Sequence, residues 1–220
     1  MAQRCPEPPD VGELPKLLRT DDVLVSNDLH VLRIYRAAGT WPTSWRSFRT
    51  YGPVVGMRFD HHPRPRGDHP SYGVLYGGID WAPSGRGDPL PGVVAESFRG
   101  FVIDRRTADP WLTVFQAIRE LRLLLLSDSS WLARAHGNAA LMAGSTAVAQ
   151  RWARRIWQQY DELDGLCWSS SPSPSSRSVV LFERAATAVP LRPALNVPLA
   201  HPGLSAPLSR IAEDLGYPLL

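Results

Sequence analysis

Four side chains with the chemistry needed to bind and cleave a nucleotide lie on separate apolar segments of the chain. Arg36 and Arg58 each present a planar fork of N–H donors that matches phosphate oxygens. Tyr76 offers an aromatic ring that can flank a planar base. Glu96 lies in the apolar segment 93–98, where a carboxylate can stabilise a positively charged sugar. Binding a dinucleotide and cleaving its glycosidic bond requires these residue types.

Each of these residues has a simpler explanation when it is considered alone. An arginine is more often a surface or salt-bridging residue, and a tyrosine in a strand is usually part of the core. A glutamate usually lies on the exposed side of a helix. A shared site therefore requires that the segments around the four side chains fold toward one another.

The composition is that of a folded domain rather than a disordered or membrane-spanning chain. The 220 residues fit one domain, or one domain with a modest appendage, and 44% of them are hydrophobic, which is ample for a core. The N-terminus lacks the apolar stretch of a secretory signal, and the longest aliphatic run, 123–126, is too short to cross a bilayer. Cys5 and Cys167 do not make a disulfide framework, so we expect reduced thiols and a cytoplasmic location.

Arginine supplies nearly all of the positive charge, because Lys16 is the only lysine. This bias favours planar, bidentate recognition of phosphate or carboxylate, although a GC-rich genome produces the same bias. The net charge of +3 is mild, and the only three arginines within five residues of one another are Arg151, Arg154 and Arg155. A nucleic-acid-binding protein needs a clustered basic face, so we expect no direct binding to nucleic acid.

Short apolar segments separated by Gly- and Pro-rich loops predict a single α+β domain with a mixed or antiparallel β core and flanking helices. The predicted strands are 31–37, 54–59, 74–76, 119–126, 166–170 and 178–183, with a helix starting near residue 111 as the alternative to the fourth. A short helix at 93–101 would present Glu96. The clearest helix begins after Gly144, where apolar residues recur at steps of three and four. The region 188–203 is proline-rich without periodicity, and a last helix is expected at 205–215.

The order of these segments resembles that of the RES-domain family, which is named for its arginine, glutamate and serine. The motifs that carry the likeness are, in order, 34–36 (IYR), 57–60 (MRFD), 74–76 (VLY), 95–97 (AES), 121–123 (LRL), 150–153 (QRWA), 164–170 (DGLCWSS) and 179–182 (VVLF). The likeness predicts a catalytic domain at 30–184, an N-terminal extension at 1–29 and a proline-rich C-terminal tail with a short helix at 185–220.

RES proteins are similar in fold to ADP-ribosyltransferase toxins, and the family contains toxins of bacterial toxin–antitoxin pairs that destroy NAD by hydrolysis or phosphorolysis. At least one member is thought to modify a protein instead. The resemblance implies an NAD glycohydrolase or NAD phosphorylase that cleaves the nicotinamide–ribose bond. NAD would be the substrate, inorganic phosphate the co-substrate in phosphorolysis, and an antitoxin protein the partner, with no cofactor and no membrane. An ADP-ribosyltransferase acting on a protein and a catalytically inactive interaction module are the alternatives, and homo-oligomer formation stays open.

The resemblance also assigns roles to individual residues. The family's catalytic residues match, in this sequence, Glu96, Arg36 and Tyr76. Its substrate-binding residues match Arg58 and Ser170, with Ser169 as the alternative because a run of serines blurs the register. Residues 57–59 read Met-Arg-Phe where the family often has Gly-Arg-Trp, the loop between 76 and 96 is longer than usual, and the tail after 185 has no counterpart.

A metal site is the main rival interpretation of the polar residues. Asp60, His61, His62, Asp68 and His69 lie within ten residues. Adjacent histidines in a strand point to opposite faces, and no HExxH or paired Cys/His spacing accompanies them, so we expect no metal. The chain also lacks a P-loop and a GxGxxG motif, so a Rossmann dehydrogenase has no support.

Overall fold

The fold is built from short strands and helices. A computed structural model describes residues 4–18 and 20–220, so residues 1–3 and 19 of the predicted N-terminal extension lie outside the described part. The strands in that part are β1 (Val23–Ser26), β2 (His30–Arg36), β3 (Tyr51–Gly52), β4 (Gly67–Asp68), β5 (Val74–Ile79), β6 (Trp81–Ala82), β7 (Gly85–Arg86), β8 (Pro110–Gln116), β9 (Leu121–Leu125), β10 (Gly165–Ser169), β11 (Arg177–Phe182) and β12 (Leu195–Pro198). The helices are α1 (Leu90–Ser97), α2 (Trp131–Arg134), α3 (Ala140–Ala143), α4 (Thr146–Gln159) and α5 (Ser205–Leu215), with 3₁₀ helices at Glu183–Ala188 and Pro202–Leu204.

Eight of the strands form one mixed sheet. Its strand order is β1-β9-β10-β11-β5-β2-β8-β12. The β9–β10 pair is parallel, and the other neighbouring pairs are antiparallel. Strands β3–β4 and β6–β7 form two separate two-stranded ribbons. The edge strand β1 precedes residue 30 and the edge strand β12 follows residue 184, so segments on both sides of 30–184 complete the sheet.

Both faces of the sheet are covered, as the leucine-rich β9 requires. Leu124 packs in one buried cluster and Leu123 in another, because successive side chains of a strand point to opposite faces. Helix α4 covers the first face through Trp152 and Ile156, which lie four residues apart on its apolar side. A third buried cluster joins α1 and α5 to β8, with Val94, Leu112 and Leu208 among its members.

Three segments differ from the sequence expectation. Residues 54–59 form turns rather than a strand, since Gly56 adopts a left-handed backbone with φ of 88° and the Val54 N–H donates to the Asp60 side chain. The helix expected near residue 111 as an alternative is instead the strand β8, which pairs with both β2 and β12. The proline-rich region 188–203 contains the strand β12, which forms by pairing with β8.

The predicted fold class is confirmed. The chain forms an α+β domain with a mixed sheet and flanking helices, and the helices expected after Gly144 and at 205–215 are α4 and α5. Among the described residues, no helix combines the length and the apolar character needed to cross a membrane.

Candidate functional site

A cavity opens where two central strands of the sheet separate. Strands β2 and β5 pair only at Val31–Ile79 and Leu32–Gly78. Gly77 lies at the point of separation, where an added Cβ would come within 2.5 Å of the Leu32 carbonyl oxygen, so a side chain there would force the strands apart. Beyond it, the diverging halves of β2 and β5 border a cavity of about 630 Å³, which is a typical volume for a small-molecule site.

The cavity is positively charged. Its arginines are Arg33, Arg36, Arg49, Arg58 and Arg99. Glu96 is the one acidic residue on the described part of its wall. The Arg33 guanidinium is occupied within the protein, because it donates a hydrogen bond to the Ser47 carbonyl oxygen at 2.9 Å. Burial lowers the pKa of Arg33 to about 10. The remaining positive charge suits an anionic ligand.

Arg36 is the arginine whose charge is most available to a ligand. It is the exposed last residue of β2, and its guanidinium carbon lies 5.7 Å from the centroid of the buried Phe98 ring. Within residues 4–18 and 20–220, no carboxylate lies within ion-pair distance of this guanidinium. A cation–π contact therefore orients Arg36 and leaves its N–H donors free.

Arg58 is held by the turns at 54–59. Gln150 of α4 donates from Nε2 to the carbonyl oxygens of Val54 (2.9 Å) and Met57 (3.0 Å), which fixes the backbone just before Arg58. One terminal nitrogen of Arg58 donates to the Gly144 carbonyl oxygen at 2.8 Å. Burial lowers the pKa of Arg58, and the nearby charge of Arg99 lowers it further.

Tyr76 belongs to a buried network centred on Asp60. The Tyr76 hydroxyl donates to Oδ1 of Asp60 at 2.9 Å, and Arg49 donates to the same oxygen at 2.6 Å. The backbone N–H of Val54 donates to the other oxygen at 2.8 Å. Burial and the Asp60 charge raise the pKa of Tyr76 well above its usual value. The hydroxyl therefore stays protonated and engaged, so Tyr76 offers the cavity its ring rather than a free donor.

Glu96 lies in the last turn of α1 and is half-buried. Its Oε2 accepts a hydrogen bond from Arg99 at 2.6 Å, and the Ser170 hydroxyl lies 3.5 Å from its Oε1, at the outer limit of hydrogen bonding. Gly92, one helical turn earlier on the same face, lets α1 approach closely. An added Cβ at Gly92 would lie 2.6 Å from Cβ of Ser176.

The two candidate serines have different environments. Ser170 is buried beside Glu96, and its backbone N–H donates to the Ser176 carbonyl oxygen at 3.0 Å. Ser169 is the last residue of β10, and its N–H donates to the Ser127 hydroxyl at 2.6 Å. The structure therefore places Ser170, rather than Ser169, against the carboxylate.

The structure brings the predicted site residues together. Those that line the cavity are Arg36, Arg58, Tyr76 and Glu96, and Ser170 reaches it through Glu96. Sequence reasoning missed two of their partners, Asp60 and Arg99. The spacing of Arg99, three residues after Glu96 at a helix end, is a signal for an ion pair that the sequence did offer.

The histidines of the rival metal site belong to an aromatic cluster. Nε2 of His61 lies 3.1 Å from a carboxylate oxygen of Glu183, and its ring stacks 5.2 Å from that of Trp157. The segment is not a strand, and the rings of His61 and His62 stack with their centroids 5.6 Å apart and their planes at 27°. Burial lowers the pKa of both rings, that of His62 to about 4. Across the described residues, no group of three or more metal-ligating side chains is placed to hold an ion.

Comparison with known proteins supports the fold. No protein-family model and no curated protein matches the chain. Among solved structures, one chain of the M. tuberculosis MbcT-MbcA toxin-antitoxin complex is similar, with a TM-score of 0.53 and 12% sequence identity. The likeness covers 84% of this chain and 92% of that chain. At this identity it shows that the two share a fold.

Proposed function

We propose that this chain is the toxin of a toxin–antitoxin pair and that it cleaves NAD at the nicotinamide–ribose bond. The observation that carries the proposal is the convergence of Arg36, Arg58, Tyr76 and Glu96 on one cavity where the sheet opens. The shared fold with a chain of a toxin–antitoxin complex supports the biological setting.

The arginines would bind the diphosphate of NAD. Among residues 4–18 and 20–220, no group accepts a hydrogen bond from the Arg36 side chain, and Arg58 keeps the donors that do not contact the Gly144 and Leu141 carbonyl oxygens. Guanidinium–phosphate pairs are charge-assisted and frequently bidentate, so two arginines can both bind and orient the dinucleotide. Tyr76 would contact the nicotinamide ring through its face, because its hydroxyl is engaged with Asp60.

Glu96 would stabilise the positive charge that develops on the ribose. As the bond between C1 and the nicotinamide nitrogen breaks, its electron pair moves to the nitrogen and neutralises the pyridinium ring. An oxygen of water or of inorganic phosphate then bonds to C1, and a proton leaves to solvent when water is the acceptor. Arg99 holds Oε2 of Glu96, so Oε1 is the oxygen that can face the cationic sugar.

Product analysis tests this function. Purified protein is incubated with NAD, with and without inorganic phosphate, and the products are separated by chromatography. Nicotinamide with ADP-ribose indicates hydrolysis, and nicotinamide with a phosphorylated ADP-ribose indicates phosphorolysis. Labelled protein without free ADP-ribose would replace the proposal with a protein ADP-ribosyltransferase. Unchanged NAD would replace it with an inactive interaction module.

Growth assays test the toxin role separately. Expression of the chain alone should stop bacterial growth, because it depletes an essential cofactor. Expression of the Glu96→Gln variant should be harmless, and co-expression of the protein encoded by the adjacent gene should restore growth. Normal growth with abundant active protein would contradict the toxin role while leaving the chemistry intact.

A further inference from the structure

An exposed aromatic ring stands at the cavity on a strained backbone. Phe101 follows α1, lines the cavity, and is 65% exposed although it is large and apolar. Its φ is 59°, in the left-handed region that bulky residues rarely adopt. The local structure enforces this conformation, since the N–H of Phe101 donates to the carbonyl oxygen of Phe98 at 2.9 Å.

The C-terminal segment brings a second ring to the same place. Gly216 caps the C-terminus of helix α5 with a left-handed backbone that turns the chain, and the next residue, Tyr217, lines the cavity. The rings of Tyr217 and Phe101 meet edge to face, with centroids 5.4 Å apart and planes at 82°. Pairing of Leu219 with Ile103 fixes this segment beside the one that carries Phe101.

The aromatic pair shares the cavity with Arg36. Arg36 contacts the ring of Phe98, three residues before Phe101, and both Arg36 and Phe101 line the cavity. Edge-to-face contact supports the Phe101 ring from the side, so its exposure leaves a face available for stacking. A flat apolar ring that shares a cavity with a guanidinium able to pair with phosphate is suited to a nucleotide base.

We propose that Phe101, supported by Tyr217, stacks the adenine ring of the dinucleotide. This inference rests on the proposed function and places the half of NAD that the residues around Glu96 leave unassigned. It also gives the C-terminal segment 216–220 a role in substrate recognition. Stacking on an aromatic side chain is largely independent of base identity, so Phe101 supplies affinity for a purine nucleotide rather than strict selection of adenine.

Equilibrium binding to the Glu96→Gln protein tests the subsite in a variant whose turnover is expected to be slow. The two probes are NAD and nicotinamide mononucleotide, which lacks the adenosine half. Phe101→Asn removes the ring with a residue that tolerates the left-handed backbone, and Phe101→Tyr keeps the ring. We expect Phe101→Asn to weaken NAD binding roughly 5- to 100-fold, as loss of one base–aromatic stack does, and to leave mononucleotide binding unchanged. Phe101→Tyr should bind NAD like the parent protein.

A matched control separates stacking from general loss of aromatic surface. Trp41 is 84% exposed and does not line the cavity, so Trp41→Leu should leave binding of both probes unchanged. If Phe101→Asn weakened the binding of both probes equally, or did not weaken NAD binding, the proposed adenine subsite would be wrong while the proposed function would stand. Failure of the parent Glu96→Gln protein to bind NAD would defeat the proposed function and this inference with it.

Discussion

Removing the Asp60 carboxylate tests the buried network that holds one wall of the cavity. Asp60 is 0% exposed and accepts hydrogen bonds from Arg49, Tyr76 and the N–H of Val54. The Asp60→Ala variant leaves all three donors without their acceptor and leaves the Arg49 charge without its partner. Tyr76 and the turns that carry Arg58 would both lose a fixed contact.

The expected loss of unfolding free energy in Asp60→Ala follows from the burial of the Asp60–Arg49 ion pair. Removing one partner of a buried ion pair costs about 3–5 kcal/mol in unfolding free energy. The Arg49 side chain keeps 26% exposure and can turn toward water, so we expect the lower end, about 3 kcal/mol. For a chain of this size, 1 kcal/mol shifts Tm by about 2–4 °C, which predicts a fall in Tm of about 6–12 °C.

Urea unfolding and calorimetry of three variants check this value. Asp161→Ala removes an exposed carboxylate and should change the unfolding free energy by less than about 0.5 kcal/mol. Tyr76→Phe removes one of the three donors and should cost about 1.5 kcal/mol. The reasoning would be refuted if Asp60→Ala cost less than about 1 kcal/mol, or if Tyr76→Phe cost as much as Asp60→Ala.

Three further substitutions test other contacts of the site. Gly92→Ala places a Cβ 2.6 Å from that of Ser176. Urea titrations should therefore show an unfolding free energy lower by about 1–3 kcal/mol. An unchanged unfolding free energy would show that α1 can shift freely. Gln150→Ala releases the turns before Arg58, so steady-state kinetics should show a higher KM for NAD with a smaller change in kcat; the reverse pattern would contradict this role. His62 has its pKa lowered to about 4 from 6.5, so the unfolded chain binds a proton first as pH falls. The unfolding free energy should therefore decline from pH 6.5 toward pH 4, by up to about 3 kcal/mol from His62. The His62→Gln variant should show a smaller decline over this range. Parallel pH profiles of the two proteins would contradict this assignment to His62.

Local sequence information was sufficient for the elements whose apolar pattern is strong. The stripe through Trp152 predicts α4, and the leucine run predicts β9, because both patterns report burial directly. Local sequence information failed where tertiary contacts determine the secondary structure. Residues 54–59 are as apolar as a strand, yet Gly56 and the Asp60 side chain fold them into turns. Strand β12 exists only through its pairing with β8, which no local pattern reveals.

The candidate site shows the same division. The residue types alone left each candidate weak. The order of the motifs, which resembles that of the RES-domain family, predicted which side chains would share a cavity. The partners of those side chains depend on contacts between distant segments. Asp60 stood beside two histidines in the sequence and resembled a metal ligand, whereas in the fold it accepts hydrogen bonds from Tyr76 and Arg49. Phe101 and Tyr217 lie 116 residues apart, and they meet because the segment after α5 pairs with the one that follows Phe101.

The rate of nicotinamide release from NAD by two matched glutamate variants tests the central claim most directly. Glu96 faces the cavity, whereas Glu213 is exposed on α5 and outside it. We predict that Glu96→Gln lowers the rate by about 100-fold or more, as loss of a charge-stabilising group does, while Glu213→Gln keeps the rate of the unmodified chain. Full activity of the Glu96→Gln protein would contradict the account.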